Sequence, residues 1–201
     1  MCFFMQISKD ATELKHRFNA KFENDLDFRP QSYNGFQYPK IPVITNQKSD
    51  TIQLFEWGLI PSWAKNDEIQ KNTLNARFET ITEKPSFKYV VRNRCFIIAD
   101  SFFEWQWLDE KGKKKQKYEI MLPDHTLFAF AGLYNQWVDP TTGEVRNTCT
   151  ILTTEADDLM SKIHNSKKRM PLILDPSNEN LWLNGELKTF VHVPLIANPI
   201  G

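Results

Sequence analysis

Residues 94–134 run RCFIIADSFFEWQWLDEKGKKKQKYEIMLPDHTLFAFAGLY. Four short runs in this stretch, RCFIIAD, SFFEWQW, KYEIML and LFAFAGLY, are rich in the aromatic and aliphatic residues that suit a pleated surface. DEKGKKK lies between the second and third and supplies a hairpin connection. Beyond them, DPTTGE (139–144) turns the chain into RNTCTILTT (146–154), a further strand. Upstream, IPVIT (41–45) and TIQLFEW (51–57) read the same way. Strands linked by hairpins dominate. This predicts an α+β domain built mainly on curved antiparallel sheets, with short flanking helices.

The helical signals are fewer. Ser8 is placed to cap a helix over residues 9–22, where Leu14, Phe18 and Phe22 recur every four residues. NTLNARFETI (72–81) and SFKYVVRN (86–93) read as two short helices. EADDLMSKIH (155–164) reads as a helix, RMPLIL (169–174) as a strand, and PSNENLWL (176–183) as a helix with Pro176 near its start. DFRPQSYNGFQYPK (27–40) reads as loop, and WGLIPSWAKND (57–67) as a turn-rich connector. Alternating βαβ units are absent, as are the GxGxxG and GxxxxGK[ST] patterns of nucleotide-binding loops.

Composition bounds the rest. The chain has 201 residues, 41% hydrophobic and 25% charged, which predicts one domain over residues 1–201. No apolar run approaches the roughly 18 residues of a membrane span, and no secretory signal is visible, so the expected location is cytoplasmic and no membrane partner is expected. Cys2, Cys95 and Cys149 form no CxxC pair, and four scattered histidines show no HExxH spacing, so neither a metal site nor a cofactor is expected. Lys plus Arg equals Asp plus Glu, 25 each. Any nucleic-acid binding therefore requires the positive charge to be gathered on one face. No heptad repeat points to an obligate oligomer, and a monomer is expected.

Five stretches invite a chemical reading. Cys2 follows the initiator methionine, so loss of Met1 leaves an amine and a thiol on adjacent carbons. WGLIPSW (57–63) brackets a turn with two tryptophans, either a core corner or a stacking platform. NARFET (75–80) sets Asn75 and Glu79 four apart, on one side of a helix, with Arg77 off it. In SFFEWQW, strand alternation puts Phe102, Glu104 and Gln106 on one face. Glu104 is then either solvated or aimed into an aromatic cleft, where burial raises its pKa. HNSKKRMP (164–171) joins a histidine to a basic cluster, read either as a turn or as a phosphate contact.

Taken in order, Cys2, WGLIPSW, NARFET, CFIIADSFFEW and the H…RMPLIL segment resemble the SRAP (SOS-response-associated peptidase) family, across residues 2–174. YN (33–34) followed by IPVIT adds a weaker match. The resemblance implies an open, barrel-like SRAP fold. It further implies a protein that senses abasic sites in single-stranded DNA and becomes covalently attached through a Met1-processed Cys2, shielding the lesion, with AP-lyase and self-processing peptidase activity beside it. Carried over residue by residue, Cys2 is the nucleophile, Asn75 bonds near its amine or the attached sugar, Glu104 shuttles protons and His164 helps open the sugar. For the DNA, Arg77 and Arg169 are the expected phosphate contacts, Lys168 adds charge, and Trp63 faces Asn34 across the strand. The chemistry also stands by itself. An α-amine with a pKa of about 7.7–8.0 is partly neutral near pH 7 and adds to the aldehyde of a ring-opened abasic sugar. The neighbouring thiol then closes a five-membered thiazolidine.

The chain departs from the family pattern in places. Phe3 and Phe4 follow Cys2 where many members read MCGR, so the early arginine is missing and Lys40 is its suggested substitute. Ser101 stands for a glycine, and NSKK separates His164 from Arg169. Two other functions fit the same residues: a cysteine peptidase using Cys2, Glu104 and His164 on peptides, and a non-covalent single-strand-binding module.

Overall fold

The computed structural model describes residues 2–24, 28–187 and 189–201. In chain order the elements are β1 (Phe4–Ile7), α1 (Ala11–Phe18), β2 (Lys21–Phe22), β3 (Gln31–Asn34), β4 (Lys40–Thr45), β5 (Lys48–Trp57) and β6 (Asn75–Arg77). They continue with β7 (Arg94–Ala99), β8 (Ser101–Trp107), β9 (Lys115–Met121), β10 (Phe128–Val138), β11 (Val145–Glu155), α2 (Asp158–Ile163), β12 (Arg169–Pro171), β13 (Ile173–Leu174), α3 (Pro176–Asn184) and β14 (Ile196–Ile200). Strands dominate and the helices are short, the α+β pattern expected from 94–134.

One sheet runs β12-β11-β10-β7-β4-β5-β2. Its two ends meet: β5 also pairs with β11 in parallel, Glu56 opposite Thr148 and Trp57 opposite Cys149. The five strands β5, β4, β7, β10 and β11 thus close into a barrel, so the expected curvature goes on to full closure. Strands this tightly curled need small residues where backbones converge. Gly132 on β10 is such a point, since an added Cβ there falls 2.3 Å from Ile97 Cδ1 and 2.8 Å from the Thr150 carbonyl. The second sheet runs β14-β9-β8-β1-β3.

The sheets join between β7 and β8 at Asp100, where RCFIIAD gives way to SFFEWQW. Asp100 is 6% exposed. Its backbone N–H donates to the Gln6 carbonyl at 3.1 Å, and its Oδ2 accepts from Ser8 N and Ser8 Oγ, both at 2.6 Å. That corner turns β8 out of the barrel wall and lays β1, with Cys2 just before it, alongside β8. Cys2, Met5, Phe102, Ile120 and Phe130 belong to the same buried core.

Several local expectations are corrected. Helix α1 begins after Asp10, not Ser8. The Asp10 carboxylate accepts from the N–H groups of Thr12 and Glu13 while Glu13 Oε2 accepts from Asp10 N, a reciprocal capping box. Ser8 is already taken by Asp100. The helix stops at Asn19, whose backbone is left-handed, and Lys21–Phe22 are extended. NARFET is not helical: Asn75–Arg77 pair in parallel with Ile151–Thr153 of β11, followed by a single 3-10 turn at Phe78–Thr80. Asn75 and Glu79 therefore share no helical face. SFKYVVRN forms successive turns. Within DFRPQSYNGFQYPK, Gln31–Asn34 pair with β1 as a strand; Asp27 lies outside the described residues.

Candidate active site

Three segments converge at the start of β1. Cys2 precedes the strand and is fully buried, with Sγ 3.7 Å from the Phe4 carbonyl. Its own carbonyl accepts from Asn75 Nδ2 at 2.8 Å. Asn75 can do this because β6 is anchored by its ladder to β11, which carries the residue across 73 positions of sequence. Asn75 Oδ1 is buried and meets no hydrogen-bond donor among the described residues. A buried amide oxygen left in that state marks a place for an incoming donor.

Glu104 lies on the inner face of β8, 5% exposed, on the face it shares with the fully buried Phe102. Of the two readings of SFFEWQW, the buried one holds. Burial pushes its carboxyl up to about 7, so it is divided between acid and base near neutrality. Burial first, and the Glu104 charge second, raise the Cys2 thiol well above its ordinary range. The thiol is therefore held protonated, within electrostatic reach of the Glu104 carboxyl.

His164 ends α2 and is 7% exposed. Its Nδ1 lies 2.8 Å from the Arg169 carbonyl. Donation of an Nδ1 proton to that oxygen makes Nε2 the lone-pair nitrogen. Burial first and the positive N-terminus second, with smaller contributions from Lys167 and Arg169, lower the imidazole to about 4, although the bond to the Arg169 backbone opposes this, so the ring is neutral at pH 7. The four residues between His164 and Arg169 form a turn closed by Lys168 N–H to His164 O at 2.8 Å, with Lys168 at φ 51°. The long spacing is thus folded into a closed turn.

This turn is clamped to β8. Asn165 Nδ2 donates to the Trp107 carbonyl at 2.9 Å, and Asn165 Oδ1 accepts from Trp107 N at 3.1 Å. Gln106 Nε2 donates to the Lys162 carbonyl at 3.1 Å. Residues on the Glu104 strand therefore hold the histidine loop. Neither Gln106 nor Asn165 had a role in the reading of the sequence; a polar residue reaching for a backbone 58 positions away leaves no local signal.

Outside this centre is a cavity of about 450 Å³ lined by Phe3, Lys71, Asn75, Arg77 and Lys84 among others. A second depression, about 670 Å³, holds Trp63, Lys88 and Tyr89 and shares Pro85 and Ser86 with the first. The cations Lys71, Arg77, Lys84 and Lys88 are all exposed, so a chain of zero net charge gathers positive charge along this stretch. Trp63 is 52% exposed and Tyr89 75%, and Trp63 Nε1 donates to the Pro85 carbonyl at 3.1 Å. In WGLIPSW the two tryptophans divide: Trp57 is fully buried core, and Trp63 faces solvent.

Other expected contacts are placed differently. Arg169 is 8% exposed, and its guanidinium donates to both carboxylate oxygens of Glu79, at 2.9 and 2.8 Å, and to the Thr153 carbonyl at 2.7 Å. The expected phosphate contact from Arg169 is corrected: this arginine braces β12 against β11 and the turn after β6. Lys168 is exposed on the histidine turn. Asn34 uses Oδ1 to accept from Phe36 N at 3.1 Å, capping a 3-10 turn. Lys40 lines a separate depression with Glu23 and Tyr33, away from Arg77. Among the described residues no cluster of three His, Cys, Asp or Glu side chains is arranged to hold a metal ion.

Known proteins match most or all of the chain. The family model described as SOS response associated peptidase (SRAP) matches residues 1–199. "Abasic site processing protein YoqW" of Bacillus subtilis (strain 168) is 43% identical over 187 residues, 92% of this chain and 80% of that one. "Abasic site processing protein HMCES" of Gallus gallus is 33% identical over 83% of this chain, which spans 56% of that longer protein. A crystal structure of a Bacteroides thetaiotaomicron protein superposes with a TM-score of 0.90 at 35% identity, covering all of this chain and 92% of its own. The chain belongs to the SOS response associated peptidase (SRAP) family.

Proposed function

We propose that this protein processes abasic sites in single-stranded DNA, capturing the lesion covalently through Cys2 once Met1 has been removed, within one domain over residues 1–201. Met1 itself lies outside the described residues. The observation that carries the reading is the convergence on Cys2 of a carboxyl with a pKa of about 7 and a buried amide, beside a cavity with exposed cations.

The chemistry runs in two steps, a condensation and a ring-closing addition. The neutral Cys2 amine adds to the aldehyde carbon of the opened sugar. Protonated Glu104 gives its proton to the departing hydroxyl, which leaves as water, and a Schiff base results. The Cys2 thiol then loses its proton to the Glu104 carboxylate, and sulfur attacks the imine carbon to close the thiazolidine. The nitrogen, which carries a proton in the Schiff base, keeps it as the ring N–H, and Glu104 ends protonated as it began. Over both steps one water is lost and no oxidant is needed. Asn75 fixes the Cys2 carbonyl, and its Oδ1 is the acceptor we assign to the amine or the sugar hydroxyl. Neutral His164 offers Nε2 as the base that opens the sugar ring. Arg77, Lys71 and Lys84 are assigned to phosphates, and Trp63 to a base.

A cysteine peptidase of the usual kind works through a thiolate beside an imidazolium. Here burial holds the thiol protonated and the imidazole neutral, a resting pair of a different kind. The test is a denaturing gel. Met1-processed protein is mixed with a single strand bearing one abasic site, with Cys2→Ala and an intact strand as controls. A retarded band requiring both Cys2 and the lesion is the expected result. A free Cys2 amine by mass spectrometry with no such band overturns the proposal.

A further inference from the structure

Phe3, Phe4 and Phe36 form an aromatic corner beside Cys2 that the chemistry above does not use. Phe3 lines the cavity that contains Asn75 and Arg77. Its ring lies 4.8 Å from that of Phe36 at an interplanar angle of 33°. Phe36 also meets Phe4 edge-on at 6.2 Å, and Phe4 meets Trp105 edge-on at 5.0 Å. Phe36 is nevertheless 52% exposed.

The corner is rigid. Gly35 N–H donates to the Phe3 carbonyl at 2.8 Å, and a Cβ on Gly35 would lie 3.2 Å from that oxygen and 3.3 Å from the Trp57 ring. The Asn34 side chain caps the turn at Phe36 N. The backbone therefore holds Phe36 against Phe3, which itself lines the cavity, and leaves about half of a large apolar side chain in water. A preset aromatic face next to exposed cations is the recurrent way to bind an unpaired base.

Resting on the function proposed above, the geometry points to Phe36, backed by Phe3, as the stacking surface for the nucleobase next to the lesion, on the side away from Trp63. The physical reason lies in the lesion itself. A base beside an abasic site has lost one stacking neighbour, and Phe36 supplies the missing face. Trp63 belongs to the adjoining depression and not to the cavity lined by Phe3, so each neighbour has its own aromatic contact. The stacking also gives this chain a hold on the strand where phenylalanine stands at position 4. Capture is then favoured by a purine neighbour over a pyrimidine on that side.

The test measures crosslinking rates at subsaturating protein, with strands in which the 5′ neighbour, the 3′ neighbour or neither is replaced by a tetrahydrofuran, a base-less residue that cannot open to an aldehyde. Removing the base on one side is expected to slow capture about five- to a hundredfold. Phe36→Ala should slow capture of the fully based strand to a similar degree while leaving the strand already lacking that base nearly unchanged. Phe36→Trp should keep the discrimination, and Trp63→Ala should leave this side's discrimination intact. Equal slowing of all strands by Phe36→Ala means that the ring only shields Cys2, and overturns the stacking role. Normal adduct formation without sensitivity to either neighbour overturns it while leaving the capture reaction standing. Absence of any adduct overturns both.

Discussion

Cys2, Glu104 and His164 are 0%, 5% and 7% exposed, whereas Trp63 and Tyr89, in the adjoining depression, are 52% and 75% exposed. The buried centre is held by hydrogen bonds to backbone, two of them between distant segments, Asn75 to the Cys2 carbonyl and Asn165 to both polar groups of Trp107, and one within the local turn, His164 to the Arg169 carbonyl. Along the rim, Arg77 at the end of β6 and Lys84 and Tyr89 on the turns that follow stand in solvent. Burial in the centre moves proton affinities in opposite directions: Glu104 rises to about 7, where it exchanges protons near neutrality, and His164 falls to about 4, which keeps its ring neutral. Exposure at the rim leaves charges and ring faces open to a strand. The centre should thus govern rate and the rim affinity.

The largest expected effect is that of Cys2→Ala, which removes the sulfur and with it the stable adduct; the readout is a band that resists denaturation. Next is Glu104→Gln, expected to lower the crosslinking rate at saturating DNA by about 10²–10⁴-fold while leaving the affinity for an intact single strand unchanged. If affinity falls as much as rate, the division between centre and rim breaks down.

The same glutamate predicts a pH signature in stability. Its folded value, about 7, lies above its ordinary 4.5, so its contribution favours the folded state at low pH and is lost as pH rises through that window. His164 acts in the opposite sense: its folded value of about 4 lies below 6.5, and its contribution is lost as pH falls from 6.5 toward 4. The two oppose each other in the native protein. Glu104→Gln should therefore gain stability relative to the parent between pH 4.5 and 7, by on the order of 3 kcal/mol. Urea unfolding at a series of pH values measures the difference, and a constant offset between the two proteins would contradict the buried carboxyl.

Rim variants should show the complementary pattern. Trp63→Ala is expected to weaken single-strand binding by about 1–3 kcal/mol, and Arg77→Ala to lower the slope of log affinity against log salt by about 1, both with the saturating rate preserved. The smallest effect is expected from Asn165→Ala. Loss of its two bonds to Trp107 is worth about 1 kcal/mol of stability and should slow capture only a few-fold, by loosening His164 against Glu104.

Legibility in the sequence followed the range of the interactions concerned. SFFEWQW spans β8 to the residue, because its alternation is local and matches the pleat. The runs RCFIIAD, KYEIML, LFAFAGLY and RNTCTILTT came through for the same reason. NARFET misled because its spacing suits a helix, while its three-residue strand exists only through pairing with β11, more than 70 residues away. The sequence suggests a phosphate contact at Arg169 because its partner Glu79 lies 90 positions upstream, out of reach of any local pattern. At α1, a serine and an aspartate were both eligible to cap, and the choice was made by Asp100, which takes Ser8. Cys2, Asn75, Glu104 and His164 were named from ordered motifs, yet their burial and the hydrogen bonds that hold them needed three dimensions. The rim was least legible: Lys84 and Tyr89 fall in or beside a stretch that read as helix and proved to be turns.

The most direct test of the central claim is the intact mass of the adduct formed by Met1-processed protein and a single strand carrying one abasic site. The account predicts the summed masses less one water, in a product that needs no borohydride to survive denaturation, as a closed thiazolidine requires. An adduct that appears only after borohydride reduction would mean an open Schiff base, and one that forms unchanged with Cys2→Ala would contradict the role of the thiol.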